Sequence, residues 1–203
     1  MKLDAVRSVV IGNIEAVDQG IGLIESLSDE QYQFVVTPYV KSTIGQHFRH
    51  VVDMFLAITA PKQEGLIDFD ARRRGADIET CRTTAIAELQ QIKDWMVVCL
   101  EHISGRLPKL EQHVLVQTEV TIEETHSVTI PTTTLRELIF ASSHAVHHYA
   151  LISVIAKLQG VELDENLGVA PATATFLREE AKEASASEKQ ENIEPQEKLA
   201  CAQ

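Results

Sequence analysis

Several residue types are scarce in this chain, and each scarcity argues against a class of protein. Three of the 203 residues are cysteines, Cys81, Cys99 and Cys201. Their odd number and wide spacing are untypical of a disulfide framework or a thiolate metal site. Lys and Arg number 18 against 30 Asp and Glu, which gives a formal net charge of −12. This deficit of positive charge disfavours nucleic acid and anionic membranes as the main partners, because both attract basic surfaces.

Long apolar runs are also missing. The sequence has no uninterrupted stretch of roughly 18 apolar residues, the length that a membrane-spanning helix needs. Polar or charged residues recur at every third or fourth position of residues 1–28, so this segment lacks the apolar core of a secretory signal. We therefore expect a soluble, cytoplasmic protein. With 44% hydrophobic composition, the chain is long enough to bury one substantial core.

Apolar residues recur every three or four positions over most of the chain, which is the pattern of helices with a buried face. The first predicted helix runs from Leu3 to Leu27. Ser42 is the expected N-cap of a second helix, from about Thr43 to Thr59, which is apolar almost all round and should lie deep. A third helix is predicted from about Ile78 to Ile103, and Gly105 and Pro108 then end it. Residues 62–77 between the second and third helices are expected to form a polar loop.

A small hairpin and a fourth helix complete the predicted fold. Residues 113–122 have the composition of a strand, and residues 128–130 follow a polar turn and can pair with it. The fourth helix is predicted from about Thr134 to Leu158, with Gly160 as its C′ residue. Four long helices with one hairpin indicate an all-α protein, a four-helix bundle whose helices pack antiparallel in pairs.

The end of the sequence has a different composition. From residue 177 onward the chain has seven Glu against four Lys or Arg and almost no large apolar side chain. Such a segment buries too little surface to offset the entropy lost on ordering. We expect a folded domain over residues 1–175 and a disordered or frayed helical acidic tail over residues 176–203. Cys201 lies in that tail, where a lone thiol is most simply incidental.

Five of the eight histidines lie in two short segments that both read as helix, Gln46-His47-Phe48-Arg49-His50 and His144-Ala145-Val146-His147-His148. His144 and His148 are four residues apart and share a helix face. That face forms one seam, which is expected to point into the core, and Tyr149 and Ser153 fall away from this seam. The seam consists of Glu137, Ala141, His144, His148, Leu151 and Ile155.

A third imidazole from the second helix would complete a metal site. Three neutral imidazoles can hold a divalent transition metal and leave one coordination position open, as catalytic sites do. His47 and His50 are three apart on one face, and their spacing leaves open which of them is the ligand. The alternative is a set of buried imidazoles bonded to hydroxyls or backbone carbonyls. Asp53 and Glu137 are candidate carboxylates next to the ligands, or else solvated or helix-capping groups.

The segments that carry these residues resemble the DinB-like superfamily. The resemblance rests on Ser42-Thr43-Ile44-Gly45-Gln46-His47-Phe48-Arg49-His50-Val51-Val52-Asp53, on Asp68-Phe69-Asp70-Ala71-Arg72-Arg73-Arg74, and on Arg136-Glu137-Leu138 followed by residues 143–151. It covers roughly residues 3–160. It implies a four-helix bundle with an up-down-down-up order, in place of simple pairwise antiparallel packing.

The resemblance also implies a set of ligands. The superfamily's metal triad takes one histidine from the second helix and a His-x-x-x-His pair from the last. Carried over position by position, the triad becomes His50, His144 and His148, because a short apolar stretch and an acidic residue follow His50 as in the family. His47 and His147 are then candidate pocket residues.

The activities of the superfamily imply chemistry at a metal. Its members include thiol-dependent S-transferases, a mycothiol-dependent maleylpyruvate isomerase and the metal-binding domains of sulfoxide synthases. We therefore expect zinc, nickel or iron, a low-molecular-weight thiol, a small-molecule substrate and either transferase or hydrolase chemistry. Arg72, Arg73 and Arg74 are candidate contacts for carboxylates of such a ligand, unless they lie on a solvated loop. The rival function is a binding or scaffold protein in which a metal only stabilises the bundle. A homodimer is compatible with either function.

Overall fold

The computed structural model describes residues 2–102 and 110–191. Within them the chain is mostly helical, with one small sheet of three strands. The chain divides into two compact units, Met1–Gly168 and Val169–Gln203. The α-helices are α1 Lys2–Glu25, α2 Asp29–Gln33, α3 Ile44–Thr59, α4 Arg82–Glu101, α5 Thr134–Lys157 and α6 Pro171–Glu191.

The predicted long helices correspond to α1, α3, α4 and α5, and the predicted start of α3 needs a correction. The N-cap is Thr43 and not Ser42. The Thr43 hydroxyl accepts a hydrogen bond from the backbone N–H of Gln46 at 3.0 Å, and the Gln46 side chain accepts one from the Thr43 N–H at 3.0 Å. This reciprocal capping box satisfies two amides at the helix end. It fixes the first turn of α3, directly before His47 and His50.

The predicted third helix is wrong at its start. A 3-10 turn covers Asp77–Glu79, and α4 begins at Arg82. The turn is held by contacts that lie far away in sequence. Tyr32 on α2, a helix that the periodicity did not predict, is buried and donates from its hydroxyl to the carbonyl of Ile78 at 2.8 Å. Helix α4 ends at Glu101, and the predicted terminators Gly105 and Pro108 lie outside the described residues.

The sheet contains the predicted hairpin and one further strand. Strands β2 (His113–Glu119) and β3 (Ser127–Thr133) pair antiparallel, while β1 (Leu66–Asp68) pairs parallel with β2. The hairpin is confirmed, but the expectation of a polar loop throughout residues 62–77 is wrong at β1. That strand is only three residues long and has one buried side chain, Ile67, so it carries no readable periodicity.

Helices α1 and α3 each pack against both α4 and α5, and the core lies between them. On α5 the buried face passes through Leu138, Ala141, Ala145, Tyr149, Ile152 and Ala156. The expected seam is therefore not the centre of the buried face, because Tyr149, which falls away from that seam, is fully buried. Two adjacent faces of α5 both fit a helical period. The face that contains Ala141, Ala145 and Ala156 is the buried one, because small side chains let the neighbouring helices approach closely. His144 and His148 lie half-buried at the border of that face.

A glycine on α1 makes room for the buried tyrosine. A Cβ atom at Gly20 would overlap the hydroxyl of Tyr149 and touch Phe48 of α3. The Tyr149 side chain is fully buried, and its hydroxyl has no hydrogen-bond partner within the described part of the chain. Burial raises the pKa of this phenol. The absence of a side chain at Gly20 therefore lets three helices meet at one point of the core.

Helix α5 is, by length and composition alone, apolar enough to cross a bilayer, a test that core helices of soluble proteins also pass. Eight of its residues are buried against the rest of the chain. Helix α6, in the second unit, exposes most of its described side chains and spans position 175, where we place the end of the folded domain. That boundary and the disorder of the tail stay predictions. Cys201 lies outside the described residues.

The variant Gly20→Ala tests the packing of Tyr149. We expect it to lower the free energy of unfolding by about 1–3 kcal/mol, because the new methyl group overfills the contact. Adding Tyr149→Phe should recover part of this loss, since the hydroxyl is the nearest atom. Urea denaturation monitored by circular dichroism measures the free energy of unfolding of the single and the double variant.

Gly12→Ala is the matched control, because it lies on the same helix and a Cβ there meets nothing within 4 Å. It should stabilise the protein by roughly 0.5–1 kcal/mol through helix propensity alone. If Gly20→Ala stabilised the protein as much as Gly12→Ala does, the close packing of Gly20 against Tyr149 would be contradicted.

Candidate metal centre

Helices α3 and α5 bring three histidines together. His50, His144 and His148 each offer a ring nitrogen, and these nitrogens all lie within 4.8 Å of one another. The Nε2 atom of His144 is central, 2.8 Å from Nε2 of His50 and 3.1 Å from Nε2 of His148. These are the three residues that the family resemblance implies as ligands, and all three are half-buried.

The donor set fits a divalent metal. A neutral imidazole nitrogen carries either one proton or one lone pair, so Nε2 of His144 can form one good hydrogen bond. It nevertheless lies within bonding distance of two ring nitrogens. A cation at the centre would satisfy all three lone pairs together. Nitrogen ligands about 2.0–2.1 Å from a tetrahedral zinc lie roughly 3.4 Å apart, and the two nitrogen separations at His144, 2.8 and 3.1 Å, are somewhat shorter.

Burial keeps these imidazoles neutral. Together with the charge of the neighbouring Arg72, it lowers the pKa of His50 to about 4. It lowers the pKa of His148 to about 3, helped by the charges of His50 and His144. The pKa of His144 is lowered by burial and then by the neighbouring His147 and Arg72. A neutral imidazole is the form that binds a metal, so protons compete weakly for these nitrogens at neutral pH.

His47 contacts the triad from outside. Its Nδ1 atom lies 3.2 Å from Nδ1 of His148, on the side of that ring turned away from His144. Burial lowers the pKa of His47. Its other nitrogen, Nε2, is buried and finds no hydrogen-bond partner in residues 2–102 and 110–191. If Nε2 of His148 binds a metal, its Nδ1 carries the proton and donates to His47. The proton of His47 then sits on the buried Nε2.

An open cleft of about 520 Å³ borders these rings. His47, His50 and His148 line one side, so a small molecule in the cleft would reach the side chains that face the candidate metal. Ser42 and the segment Arg74-Gly75 lie on its rim. The full lining comprises Ser42, Gln46, His47, Arg49, His50, Arg74, Gly75, Glu79 and His148.

Asp53 holds the arginine loop, which is residues 69–76 between β1 and the 3-10 turn. Among the described residues, it accepts hydrogen bonds from arginines and from no histidine. It is buried and accepts a hydrogen bond from Arg49 of its own helix at 2.8 Å. It also accepts from the side chain of Arg73 at 2.6 Å and from the Arg73 backbone N–H at 3.1 Å. Arg73 pairs in addition with Glu88 of α4 at 2.8 Å, and Arg49 with Glu79 at 2.7 Å. The network ties the loop to both α3 and α4.

The three consecutive arginines have different surroundings. The side chain of Arg73 is engaged by two carboxylates. Arg74 is exposed at the cleft. Arg72 is half-buried, with its guanidinium 3.7 Å from the sulfur of Met54, one turn after His50. The candidate ligand contacts are therefore Arg72 and Arg74, whereas Arg73 fixes the loop.

Glu137 and His147 lie beside the centre without completing it. Glu137 is buried and accepts hydrogen bonds from Thr132 at 2.6 Å and from Arg136 at 3.0 Å. It thus joins the end of β3 to the start of α5. His147 is exposed, and its ring centroid lies 6.5 Å from that of His144.

Sequence reasoning missed an aromatic residue at the site. Phe140 stacks on His144 with ring centroids 5.7 Å apart, and Phe69 from the arginine loop packs on Phe140 at 5.6 Å. The signal was available, because Phe140 precedes His144 by four residues and therefore shares its face. The pair shields one side of the His144 ring and places the loop over α5.

The lowered histidine pKa values predict a pH dependence for the metal-free protein. Below about pH 6.5 the unfolded chain takes up protons at histidines that the folded cluster does not. Folding stability should therefore be complete above pH 6.5 and fall as the pH drops toward 4. We expect the urea midpoint in EDTA to fall between pH 7 and 5, and to fall less in His148→Gln. His126→Gln, at an exposed turn, is the control. The same pH profile in all three proteins would contradict the buried, neutral cluster.

Comparison with known proteins identifies the family of this chain. The family model of the DinB superfamily matches residues 18–152, about two thirds of the chain. The chain is also similar to "FK506-binding protein 5" of Rhizopus delemar, with 24% identity over 162 residues, 80% of this chain. It spans 36% of that relative's length. No solved structure gives a significant match. The family match, which includes the α3 and α5 histidines, shows that the chain belongs to the DinB superfamily.

Proposed function

We propose that this protein is a metal-dependent enzyme that acts on a small molecule, by thiol-dependent S-transfer or by hydrolysis. The observation that carries the proposal is the convergence of ring nitrogens from His50, His144 and His148 beside an open cleft. Zinc, nickel and iron all suit three imidazole ligands. With three protein ligands, a divalent metal keeps a position at which it lowers the pKa of a bound thiol or water.

The residues around the triad support such chemistry. Phe140 and Phe69 exclude water from one side of His144. On another side, the cleft along His47 and His50 gives a substrate access to the triad.

The direction of the helices is part of the same proposal, namely the up-down-down-up bundle. Contacts between α1 and α4 support an antiparallel pair. Arg82 at the start of α4 donates to the carbonyl of Ile24 at the end of α1, and Lys93 further along α4 donates to the earlier Asp18. Contacts between α1 and α5 support a parallel pair. Gly20 of α1 lies against Tyr149 of α5, and beyond the ends of both helices the Gln159 side chain donates to the Gln31 carbonyl. The histidine pairs 47 with 148 and 50 with 144 support antiparallel α3 and α5.

The partners follow from charge. A net charge of −12 favours a small-molecule substrate over nucleic acid or an anionic membrane. We place the protein in the cytoplasm, where a low-molecular-weight thiol would be reduced and available as a cosubstrate. A homodimer is compatible with this function.

Metal binding is tested on protein produced without a histidine tag. After stripping with a chelator, titration with zinc should load one equivalent and raise the melting temperature. His50→Ala, His144→Ala and His148→Ala should each lose most of this binding while circular dichroism stays helical. His147→Ala, on the same helix but exposed, should load normally. Well under one equivalent in the wild type, with an unchanged melting temperature for zinc and nickel, would refute the proposal.

His47 should tune the site without being a ligand. We expect His47→Leu to weaken zinc affinity about 10–100-fold, as loss of a partner to a ligating histidine typically does. His147→Gln should leave the affinity unchanged. Competition with a chromophoric chelator measures both constants. A His47→Leu protein with wild-type affinity would show that the contact with His148 does not orient that ring.

A further inference from the structure

The surroundings of Arg72 are unusual for a half-buried cation. Among the described residues, no carboxylate accepts a hydrogen bond from it, and its guanidinium donates only to the weak acceptor Sδ of Met54, at 3.7 Å. Met54 lies one turn after His50 on α3, so this contact brings the guanidinium toward the triad, in agreement with the lowered pKa of His50 and His144. A guanidinium in this position is desolvated without a matched anion.

The carboxylates that face Arg72 are occupied elsewhere. Asp53 is shared by Arg49 and Arg73. Asp70 accepts a hydrogen bond from the backbone N–H of Glu119 at 2.8 Å and one from the Ser127 hydroxyl at 3.0 Å. Both carboxylates stabilise the charge of Arg72 only at a distance. These bonds hold the arginine loop on both sides of Arg72, at Asp70 and at Arg73.

The triad, like Arg72, lacks a paired negative charge. Its three imidazoles are neutral, and the group of ligating side chains found in the described residues contains no carboxylate. A divalent cation held there would keep its full formal charge, next to Arg72. An anion bound between the two would compensate both charges, in an otherwise strongly acidic chain.

We propose that Arg72 is the residue that recognises the substrate's carboxylate. This inference rests on the proposed function and narrows it to small anionic molecules. One group of the molecule occupies the open position at the metal, and its carboxylate pairs with the guanidinium of Arg72. A single planar guanidinium presents two parallel N–H groups, which match the two oxygens of one carboxylate.

Two thiols that differ only in charge test the proposal, N-acetylcysteine and its amide, N-acetylcysteinamide. The protein is loaded with cobalt(II), and binding is followed by the thiolate-to-cobalt absorption band. Because both probes bind cobalt through sulfur, the ratio of their dissociation constants isolates the carboxylate. We expect wild-type protein to prefer the acid, and Arg72→Gln to weaken the acid about tenfold while leaving the amide within about twofold.

Two further variants sharpen the result. Arg72→Lys keeps the positive charge but loses the two parallel N–H groups of the guanidinium, so it should retain only part of the preference for the acid over the amide. Arg7→Gln removes one charge from an exposed position of α1 and should keep the wild-type ratio. If it lowers the ratio as Arg72→Gln does, the effect is only one of net charge and the proposal fails.

The outcomes separate the two proposals. Failure of cobalt to load would refute the metal site and, with it, this inference. Normal loading with no preference for the acid, or with equal weakening of both thiols in Arg72→Gln, would refute the role of Arg72 and leave the metal site intact.

Discussion

The carboxylate of Asp53 lies buried one turn after His50 and binds two arginines, one on its own helix and one in the loop before α4. Those bonds attach a segment without regular structure to the helix that carries a candidate ligand. With one partner removed, a buried charge would be left uncompensated, which is the costly case for an ion pair. The positions of Arg72, Phe69 and the cleft wall therefore all depend on this carboxylate, although it does not touch an imidazole.

Local periodicity predicted the parts of the site that lie within a single helix. The spacing of His144 and His148 was sufficient to place them on one face, and the capping signal before Gln46 was readable to within one residue. Periodicity could not choose between His47 and His50, because both share a face of α3 and both contact a histidine of α5. The family resemblance supplied that choice.

The remaining errors come from contacts between distant segments. The break before α4 depends on the bond from Tyr32 to Ile78, and the burial of Tyr149 depends on a missing side chain at Gly20. Neither partner is visible from the local pattern of the other. The different surroundings of the three arginines are also tertiary, since they depend on which side chains face Asp53 and Glu88.

The four histidines form a continuous series of nitrogen contacts, from His47 through His148 and His144 to His50. Each ring holds one proton in its neutral form, so the position of one proton constrains the next. A cation at the centre would select a single tautomer for the whole series, including the ring of His47, which is not a ligand. The nitrogen chemical shifts of His47 would then report whether the metal is present, and would do so from the wall of the cleft where substrate binds.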